Sequence, residues 1–324
     1  MRKIIQATVF IMFLAALLYG TDLFLLRGLR SAKSPPFGVL NKIVKGHINS
    51  DILIIGSSRA VVHYDCDVIH SVTNRSCFNI GMDGTQMDSY LTLLKIYLSH
   101  NRAPAFLLVN LDLSSLGVSK RIYAPYQYVP YLGEKFIDEW MLRKDFAVWK
   151  HKYLPLYSFS IYGMILTKPA LSALFGFGSS DLGRCTNGFL GYNNSWDGTF
   201  DEFKKKNPRG WTFFISNENI ENLRLILGEC KQKGISAILV YSPSYCEVNE
   251  LTLNKQEIFC IYRNISKEFG VPFLDYSGIE ICKNKAYFYN SQHLNKQGAE
   301  KFSETLASDL MSKISLITRA PDGS

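Results

Sequence analysis

The chain has 324 residues, of which 47% are hydrophobic and 20% are charged, and it has a formal net charge of +8. This composition is typical of one large or two small globular domains and excludes a chain that is disordered throughout. The one basic run beyond the N-terminal segment, residues 204–206, is typical of a solvated face, so we expect no nucleic-acid partner.

The first predicted element is a membrane helix. Residues 4–26 are almost continuously apolar, which is enough to cross about 30 Å of hydrocarbon. A buried core helix is the alternative. No small-x-small cleavage site precedes Thr21, so we expect an uncleaved anchor, residues 1–30, rather than a signal peptide. Basic residues on both flanks leave the orientation open, and residues 31–50 are predicted to form a linker.

Five strand candidates follow the linker. Most are continuous apolar runs, which are typical of parallel strands covered on both faces. Amphipathic helical patterns lie between them, and another closes the chain. This alternation predicts an α/β fold with a doubly wound, mostly parallel five-stranded sheet. The strand candidates are residues 52–56, 77–81, 105–111, 236–241 and 271–276, and the helical patterns between them are residues 85–100, 216–233 and 250–269.

One interval interrupts the alternation. Residues 113–215 separate the third and fourth strands by about a hundred positions, far more than a crossover needs. We therefore predict an inserted, aromatic-rich subdomain or lid at 113–215, between the two parts of one α/β domain at 51–112 and 216–316, with a flexible tail at 317–324. All four tryptophans lie in the insertion. They either form its own small core or provide a stacking platform for sugar rings.

The cysteines do not indicate a metal site. There are seven of them, without a C-x-x-C pair or a metal-ligand spacing, so we predict neither zinc nor any other cofactor. Their odd number leaves at least one thiol unpaired in a monomer. In an oxidising compartment some of them could be bridged, and the sequence leaves the pairing open.

Polar residues follow each predicted strand, at the end where ligands collect in a parallel sheet. The first strand leads to Gly56-Ser57-Ser58, the second to residues 81–84 and the third to residues 112–115. The fourth leads to Ser242-Pro243, and the loop after the fifth contains residues 290–295. A serine and a histidine therefore reach the same rim of the sheet from opposite ends of the chain.

These blocks resemble the SGNH, or GDSL-like, hydrolase superfamily over residues 50–112 and 216–315. The family's strand-Gly-Asp-Ser block matches Gly56-Ser57-Ser58 and implies that Ser58 is the nucleophile. The family's Asp-x-x-His-Leu-Asn block matches "NSQHLNKQGA" at 290–299 and implies that His293 is the base. The resemblance also implies the flavodoxin-like SGNH fold and chemistry on an ester without a cofactor.

The resemblance implies an oxyanion hole as well. The family's second block ends in a glycine whose amide binds the oxyanion, and "NIGMDGT" places Gly84 there, beside the amide of Ser58. The family's Gly-x-Asn-Asp block has no counterpart in "VNLDLSSL", so a third donor would come from near Ser114.

A second departure concerns the catalytic triad. The family's aspartate three residues before the histidine is Asn290 here. In the serine-protease template, a change of the aspartate to asparagine lowers the rate by about 10⁴. The chain would then act slowly, act as a Ser-His dyad, or have lost turnover. Asn290 can still offer its side-chain oxygen to His293, and Asp112 is either a substitute carboxylate or a cap at the end of its strand.

Further residues near the rim have predicted roles. Arg59, Tyr241 and Ser242 are candidates for contact with the substrate, and packing or an ion pair is the alternative for Arg59. His63 and His70 fall in the first helix and are expected to face solvent. The stretch at Ser58 is not a G-x-S-x-G elbow, and it lacks a Walker lysine and a G-x-G-x-x-G motif, which excludes an α/β-hydrolase and disfavours nucleotide folds.

We therefore expect a membrane-tethered esterase or acyltransferase whose catalytic body faces the periplasm or cell exterior. Its substrate would be an O-acyl group, most plausibly O-acetyl, on an envelope polysaccharide. The membrane-anchored relatives that it resembles imply a multi-spanning membrane acyltransferase as a partner. Two other functions stay open: a non-catalytic glycan-binding or assembly subunit, and a cytoplasm-facing phosphate or nucleotide binder at Ser57-Ser58.

Overall fold

The computed structural model describes residues 1–119, 121–176 and 185–317. The tail predicted at 317–324 lies outside these ranges after Ile317. The helices are α1 (Arg2–Leu29), α2 (Phe37–Val44), α3 (Ser58–His63), α4 (Cys66–Thr73), α5 (Met87–His100), α6 (Lys135–Lys144), α7 (Val148–Tyr153), α8 (Tyr157–Tyr162), α9 (Met164–Phe175), α10 (Thr199–Lys206), α11 (Asn217–Gln232), α12 (Cys246–Leu251), α13 (Lys255–Phe269) and α14 (Lys296–Ile317). The strands are β1 (Ile52–Ile55), β2 (Cys77–Asn79), β3 (Phe106–Asn110), β4 (Cys185–Thr186), β5 (Phe189–Leu190), β6 (Ser236–Tyr241), β7 (Phe273–Asp275), β8 (Phe288–Asn290) and β9 (His293–Leu294).

The chain divides into two compact units. The first comprises residues 1–45 with the described part of 120–182, and the second comprises residues 46–119 with the described part of 183–324. The segment predicted as one insertion, residues 113–215, is therefore shared between the two units.

The second unit is built on the predicted sheet. Its five strands are parallel and have the order β2-β1-β3-β6-β7. Each predicted strand is present, and the order is that of flavodoxin-like doubly wound folds. All four residues of β1 and all five of β3 are buried, because parallel strands of this kind are covered on both faces. The predicted fold class is confirmed.

Strand order explains where the site lies. β2 pairs with one edge of β1, and β3 pairs with the other. The chain therefore leaves β1 towards one side of the sheet and leaves β3 towards the other, which opens a crevice beyond the carboxyl ends of these strands. Residues 56–58 follow β1 and residues 111–115 follow β3, so both segments border this switch point.

Helices cover the sheet on one face through a shared core. α14 packs against α3 and α4, and its apolar side chains join alternate residues of β1, β3 and β6 in one buried cluster. Strand residues alternate between the two faces, so every second side chain reaches this layer. Elsewhere in the unit, α5 packs against α11.

The last part of the predicted insertion belongs to this unit. β4 and β5 form a short antiparallel hairpin, and Asn79 of β2 donates its backbone N–H to Asn187 at 2.8 Å. Gly188 has a φ of +86°, and a Cβ there would lie 1.8 Å from the carbonyl oxygen of Asn79, so only glycine allows this approach. Trp211 forms a parallel bridge with Thr252.

The first unit contains the apolar N-terminal helix. α1 has 28 residues, and it is long and apolar enough to cross a membrane. α9 packs along its C-terminal part, where a Cβ on Gly28 would lie 2.4 Å from the carbonyl oxygen of Ala170. α2 lies within the segment predicted as a linker. Trp140 is buried against Tyr128, so one tryptophan of the predicted insertion belongs to the core of this unit.

Candidate active site

Two consecutive serines, Ser57 and Ser58, lie at the junction between β1 and α3. A Cβ on Gly56 would lie 2.6 Å from the Cβ of Ala60 and 2.7 Å from that of Asn110, so the turn requires glycine. Ser57 has extended backbone angles and is the N-cap of α3, and its Oγ accepts the N–H of Arg59 at 3.2 Å. Ser58 is the first residue of the helix.

Ser58 meets a histidine from the far end of the chain. Its Oγ lies 2.8 Å from Nε2 of His293, and 235 positions separate the two residues. His293 stands on β9, which forms a short hairpin with β8. The ring of Tyr289 stacks on the His293 imidazole at 5.4 Å with an angle of 7° between the planes. The proximity predicted for Ser58 and His293 is confirmed, and their catalytic roles stay predictions.

Asn290 fixes the tautomer of His293. Its Oδ1 accepts the backbone N–H groups of Gln292 and His293, both at 3.0 Å, and lies 2.9 Å from Nδ1 of His293. Two backbone donors require an acceptor, so the amide oxygen and not the amide nitrogen faces the ring. Nδ1 therefore carries the hydrogen, and Nε2 is the acceptor for the Ser58 hydroxyl.

The surroundings of His293 keep it neutral. Burial, followed by the positive charge of Arg59, lowers the pKa of His293 to about 4, although the carboxylate of Asp197 opposes both effects. The imidazole is therefore unprotonated at neutral pH and able to accept a proton. Asn290 is uncharged and gives the imidazolium no electrostatic support. Among the described residues, the carboxylate that favours the imidazolium is that of Asp197.

His63 has a role that the sequence did not reveal. It is fully buried, which corrects the expectation that it faces solvent, whereas His70 is exposed as predicted. Nε2 of His63 accepts the backbone N–H of Leu294 at 3.1 Å, so Nδ1 carries the hydrogen and donates to Ser242 Oγ at 2.9 Å. Burial, followed by the charge of Arg59, holds the pKa of His63 well below its ordinary value. A neutral histidine thus anchors the residue next to His293. No local signal reveals this burial, because the apolar "AVV" before His63 is compatible with an exposed or a buried histidine.

Ser57 belongs to a separate, ionic network. Its Oγ donates to Oδ2 of Asp112, and Arg59 Nη1 lies 3.1 Å from Oδ1 of the same carboxylate. Asn110 also donates to Oδ1, at 2.9 Å. Asp112 therefore pairs with Arg59 and does not replace the missing triad carboxylate beside His293. The Asp112 carboxylate, which contacts Ser57 at the start of α3, also disfavours phosphate binding there, because it would repel an anion.

Three predicted substrate contacts lie inside the protein. Arg59 is 4% exposed, and Tyr241 and Ser242 are 0% exposed. The Arg59 guanidinium lies over the Tyr241 ring at 4.8 Å and donates to the backbone carbonyls of Ser242 and Pro243. The prediction that these side chains bind substrate is therefore wrong: their contacts hold β6 against α3. The alternative weighed for Arg59, an ion pair, is correct.

Gly84 and Ser114 lie on neighbouring loops. Gly84 has a φ of +64° in an exposed turn after β2, and Ser114 is half-buried after β3. Gln86 Nε2 donates to the carbonyl of Ser114 at 3.4 Å, so the two loops are in contact. The oxyanion roles assigned to Gly84 and Ser114 stay predictions.

A cavity of about 490 Å³ lies beside His293. One wall is the loop of β8 and β9, and the other is formed by aromatic side chains from α10 and the segment after it. The ring centroids of Phe203 and Trp211 are 4.8 Å apart. The lining residues are Thr199, Phe200, Phe203, Trp211, Phe213, Val248, Asn290, Ser291, Gln292 and His293. Among the residues that the structure describes, no group of three His, Cys, Asp or Glu side chains could hold a metal ion.

Comparison with known proteins gave matches among solved structures alone. No family model matches the chain, and no curated protein matches it. A GDSL-like lipase from Bacteroides thetaiotaomicron is similar with a TM-score of 0.37 and 12% identity, covering 81% of this chain and 88% of that one. An acetyl xylan esterase is similar with a TM-score of 0.39 and 12% identity, covering 81% of this chain and 99% of that one. At these TM-scores, the assignment of an activity rests on the residues of this chain.

Proposed function

We propose that the chain is an SGNH-like serine ester hydrolase or O-acyltransferase, with Ser58 as the nucleophile and His293 as its base. The contact of 2.8 Å between Ser58 Oγ and Nε2 of a neutral His293 carries this proposal. His293 would take the proton of Ser58 as Oγ attacks the acyl carbon, and would then give it to the departing alcohol. Water or an acceptor hydroxyl would release the acyl group from Ser58.

Two opposite charges develop in this reaction, a negative one on the oxyanion and a positive one on the imidazolium. The oxyanion would be bound by backbone N–H groups at the start of α3 and on the loop of Gly84, where the family resemblance places them. The imidazolium of His293 would be held in orientation by Asn290, which supplies an oxygen and no charge. A neutral partner stabilises an imidazolium less than a carboxylate does, so we expect slow turnover.

The proposed substrate is an O-acyl group, most plausibly O-acetyl, on an extracytoplasmic polysaccharide. Two observations support this choice. α1 is apolar enough to tether the chain to a membrane, and an aromatic-lined cavity adjoins His293. A multi-spanning membrane acyltransferase is the proposed partner, on the strength of the family resemblance.

Acetate release from an acetylated glycan tests this function. We expect the full chain in detergent to release acetate, and Ser58→Ala and His293→Ala each to lower kcat by about 10³-fold or more. His70→Ala is the matched control, since His70 is exposed and lies on the neighbouring helix α4. Release that is unchanged in either site variant would contradict the proposal.

A second candidate function follows from Asn290. A chain that kept the fold and lost the charged triad member would act as a glycan-binding or assembly subunit. Such a protein would bind the glycan without releasing acetate, and Ser58→Ala would leave the affinity unchanged. Turnover that depends on Ser58 would exclude this candidate.

A further inference from the structure

The cavity beside His293 lies on one identifiable side of the proposed reaction. In ester cleavage by a serine and a histidine, the histidine donates its proton to the departing alcohol, so that oxygen must approach Nε2. The oxyanion points instead towards backbone N–H groups. The loop of residues 290–293 forms one wall of the cavity, so the cavity lies on the alcohol side of the ester.

The lining of the cavity selects the kind of alcohol. None of the described residues that line it is ionised, because His293 is neutral and the others carry no charge. An anionic group would therefore find no counter-charge in the lining. The wall from α10 onward is aromatic, and the opposite wall offers the polar side chains of Asn290, Ser291 and Gln292. A sugar ring has this combination, with an apolar C–H face and hydroxyls at its edge.

We propose that the cavity binds the alcohol half of the ester as a neutral sugar ring, which stacks on Phe203, Trp211 and Phe213. This inference rests on the proposed function and extends it to a substrate class, an O-acylated neutral glycan. The volume of about 490 Å³ falls in the range of pockets that enclose a small ligand.

Paired substrates test this subsite. We expect Trp211→Ala and Phe213→Ala to lower kcat/KM for an acetylated neutral oligosaccharide by about threefold to tenfold, the size of one aromatic contact. For ethyl acetate, whose leaving alcohol has no ring that could stack, the loss in the same variants should be at most about twofold. Phe214→Ala is the matched control, since Phe214 is 70% exposed, adjoins Phe213 and does not line the cavity.

Three results would overturn the subsite. The first is an equal loss of kcat/KM in Phe214→Ala, and the second is the absence of a selective loss of kcat/KM in Trp211→Ala. The third is a loss confined to aryl esters with long acyl chains, which would make the cavity an acyl pocket. If no ester is hydrolysed, the proposed function fails and calorimetry decides the subsite alone. The subsite is supported if a neutral oligosaccharide binds to Ser58→Ala and this binding is lost when Trp211→Ala is added. The subsite is overturned if the oligosaccharide does not bind to Ser58→Ala.

A separate observation concerns two buried thiols. Sγ of Cys77 lies 2.8 Å from Sγ of Cys66, although 11 positions separate the residues. Cys66 begins α4 and is 0% exposed, and Cys77 begins β2 and is 6% exposed. Unbonded sulfur atoms do not normally approach so closely. Burial raises the pKa of the Cys66 thiol well above its ordinary value, so in the folded chain this thiol is a poor nucleophile and its oxidation would accompany folding.

We infer that Cys66 and Cys77 form a disulfide in the exported protein. The Sγ–Sγ bond forms as both thiols lose their protons, and two electrons pass to a disulfide-bearing oxidant, which is reduced to two thiols. This inference rests on the proposed placement of the catalytic body outside the cytoplasm, and not on the activity. The bond would tie α4 to β2, and thus the chain after Ser58 to the strand before Gly84.

Peptide mapping tests the bond. The full chain is recovered from the oxidising compartment, denatured with an alkylating reagent and digested without reductant. We expect the peptides of Cys66 and Cys77 to be joined and that of Cys230, a buried cysteine of α11, to be alkylated. Recovery of Cys66 and Cys77 as alkylated thiols, or bridged to other cysteines, would overturn the inference. Hydrolysis is measured on the same sample, so a missing bond with intact turnover counts against the bond alone.

Discussion

Ser57 and Ser58 are neighbours in the chain, yet they belong to two different networks. Ser57 joins Asp112 and Arg59 in a fully buried ionic cluster. Ser58 joins His293 and Asn290 in a half-buried chain of neutral groups that borders a cavity. The carboxylate that a triad would use is therefore present nearby and is occupied by an arginine. The charged network supports the fold, and the neutral one has the geometry for chemistry.

The largest expected effect is the loss of stability that follows when a substitution breaks the buried ionic network. Arg59→Met should lower the free energy of unfolding by about 3–5 kcal/mol, because it leaves the Asp112 carboxylate buried without its partner. Urea unfolding of the full chain in detergent measures this loss. Arg224→Met is the control, since Arg224 pairs with Glu268 at the surface and should cost at most about 1 kcal/mol. Equal losses in the two variants would show that Arg59 has no special structural role.

The next largest effect is a gain in activity, which we expect from a substitution that adds a charge to the neutral network. Asn290→Asp should raise kcat/KM for the acetylated glycan by about 10-fold to 100-fold, since a carboxylate would stabilise the His293 imidazolium. The three donors to Asn290 Oδ1 would all be retained. Asn284→Asp, at an exposed turn, controls for added charge. A decrease or no change would show that a carboxylate at position 290 does not assist His293 and that the uncharged Asn290 does not limit the rate.

The pH dependence of the rate is a smaller test. Only the neutral imidazole can accept the Ser58 proton, so kcat/KM should fall as pH falls through the pKa of His293, about 4. Because that pKa is lowered from 6.5, activity should persist at pH 5, where an ordinary histidine would be protonated. The profile in Asn290→Asp should move to higher pH. An acid limb near 6.5 in the unmodified chain would contradict the described burial of His293.

The smallest expected effect concerns Asp197. Its carboxylate raises the pKa of His293 against the two stronger effects, so Asp197→Asn should shift the acid limb slightly to lower pH. The amide oxygen of asparagine can still accept the N–H of Thr199, which preserves the local turn. A shift to higher pH would mean that Asp197 does not act on His293 by charge.

The sheet and the Ser58–His293 pair were accessible from the sequence because their signals are local. Buried parallel strands are continuous apolar runs, and "GSS" and "HLN" each follow such a run or precede a helix. The helix predicted at 250–269 is two helices, α12 and α13, because Thr252 and Asn254 have non-helical backbone angles.

The rest depended on contacts between distant parts of the chain. The ion pair of Arg59 with Asp112 and the contact of His63 with Leu294 join residues that no local pattern connects. A histidine beside valines has the same local sequence whether it is exposed or buried, and only the packing of α14 on α3 decides. The aromatic wall of the cavity comes from α10 and the segment after it, and no local pattern connects these residues with residues 290–293, so their proximity could not be predicted.

The most direct test of the account is residue-resolved labelling with a fluorophosphonate, which reacts with activated serine hydroxyls. We predict an adduct on Ser58 and none on Ser57, and loss of the adduct in His293→Ala. An adduct on Ser57, or no adduct on either serine across the pH range in which His293 is neutral, would contradict the division of roles between the two networks.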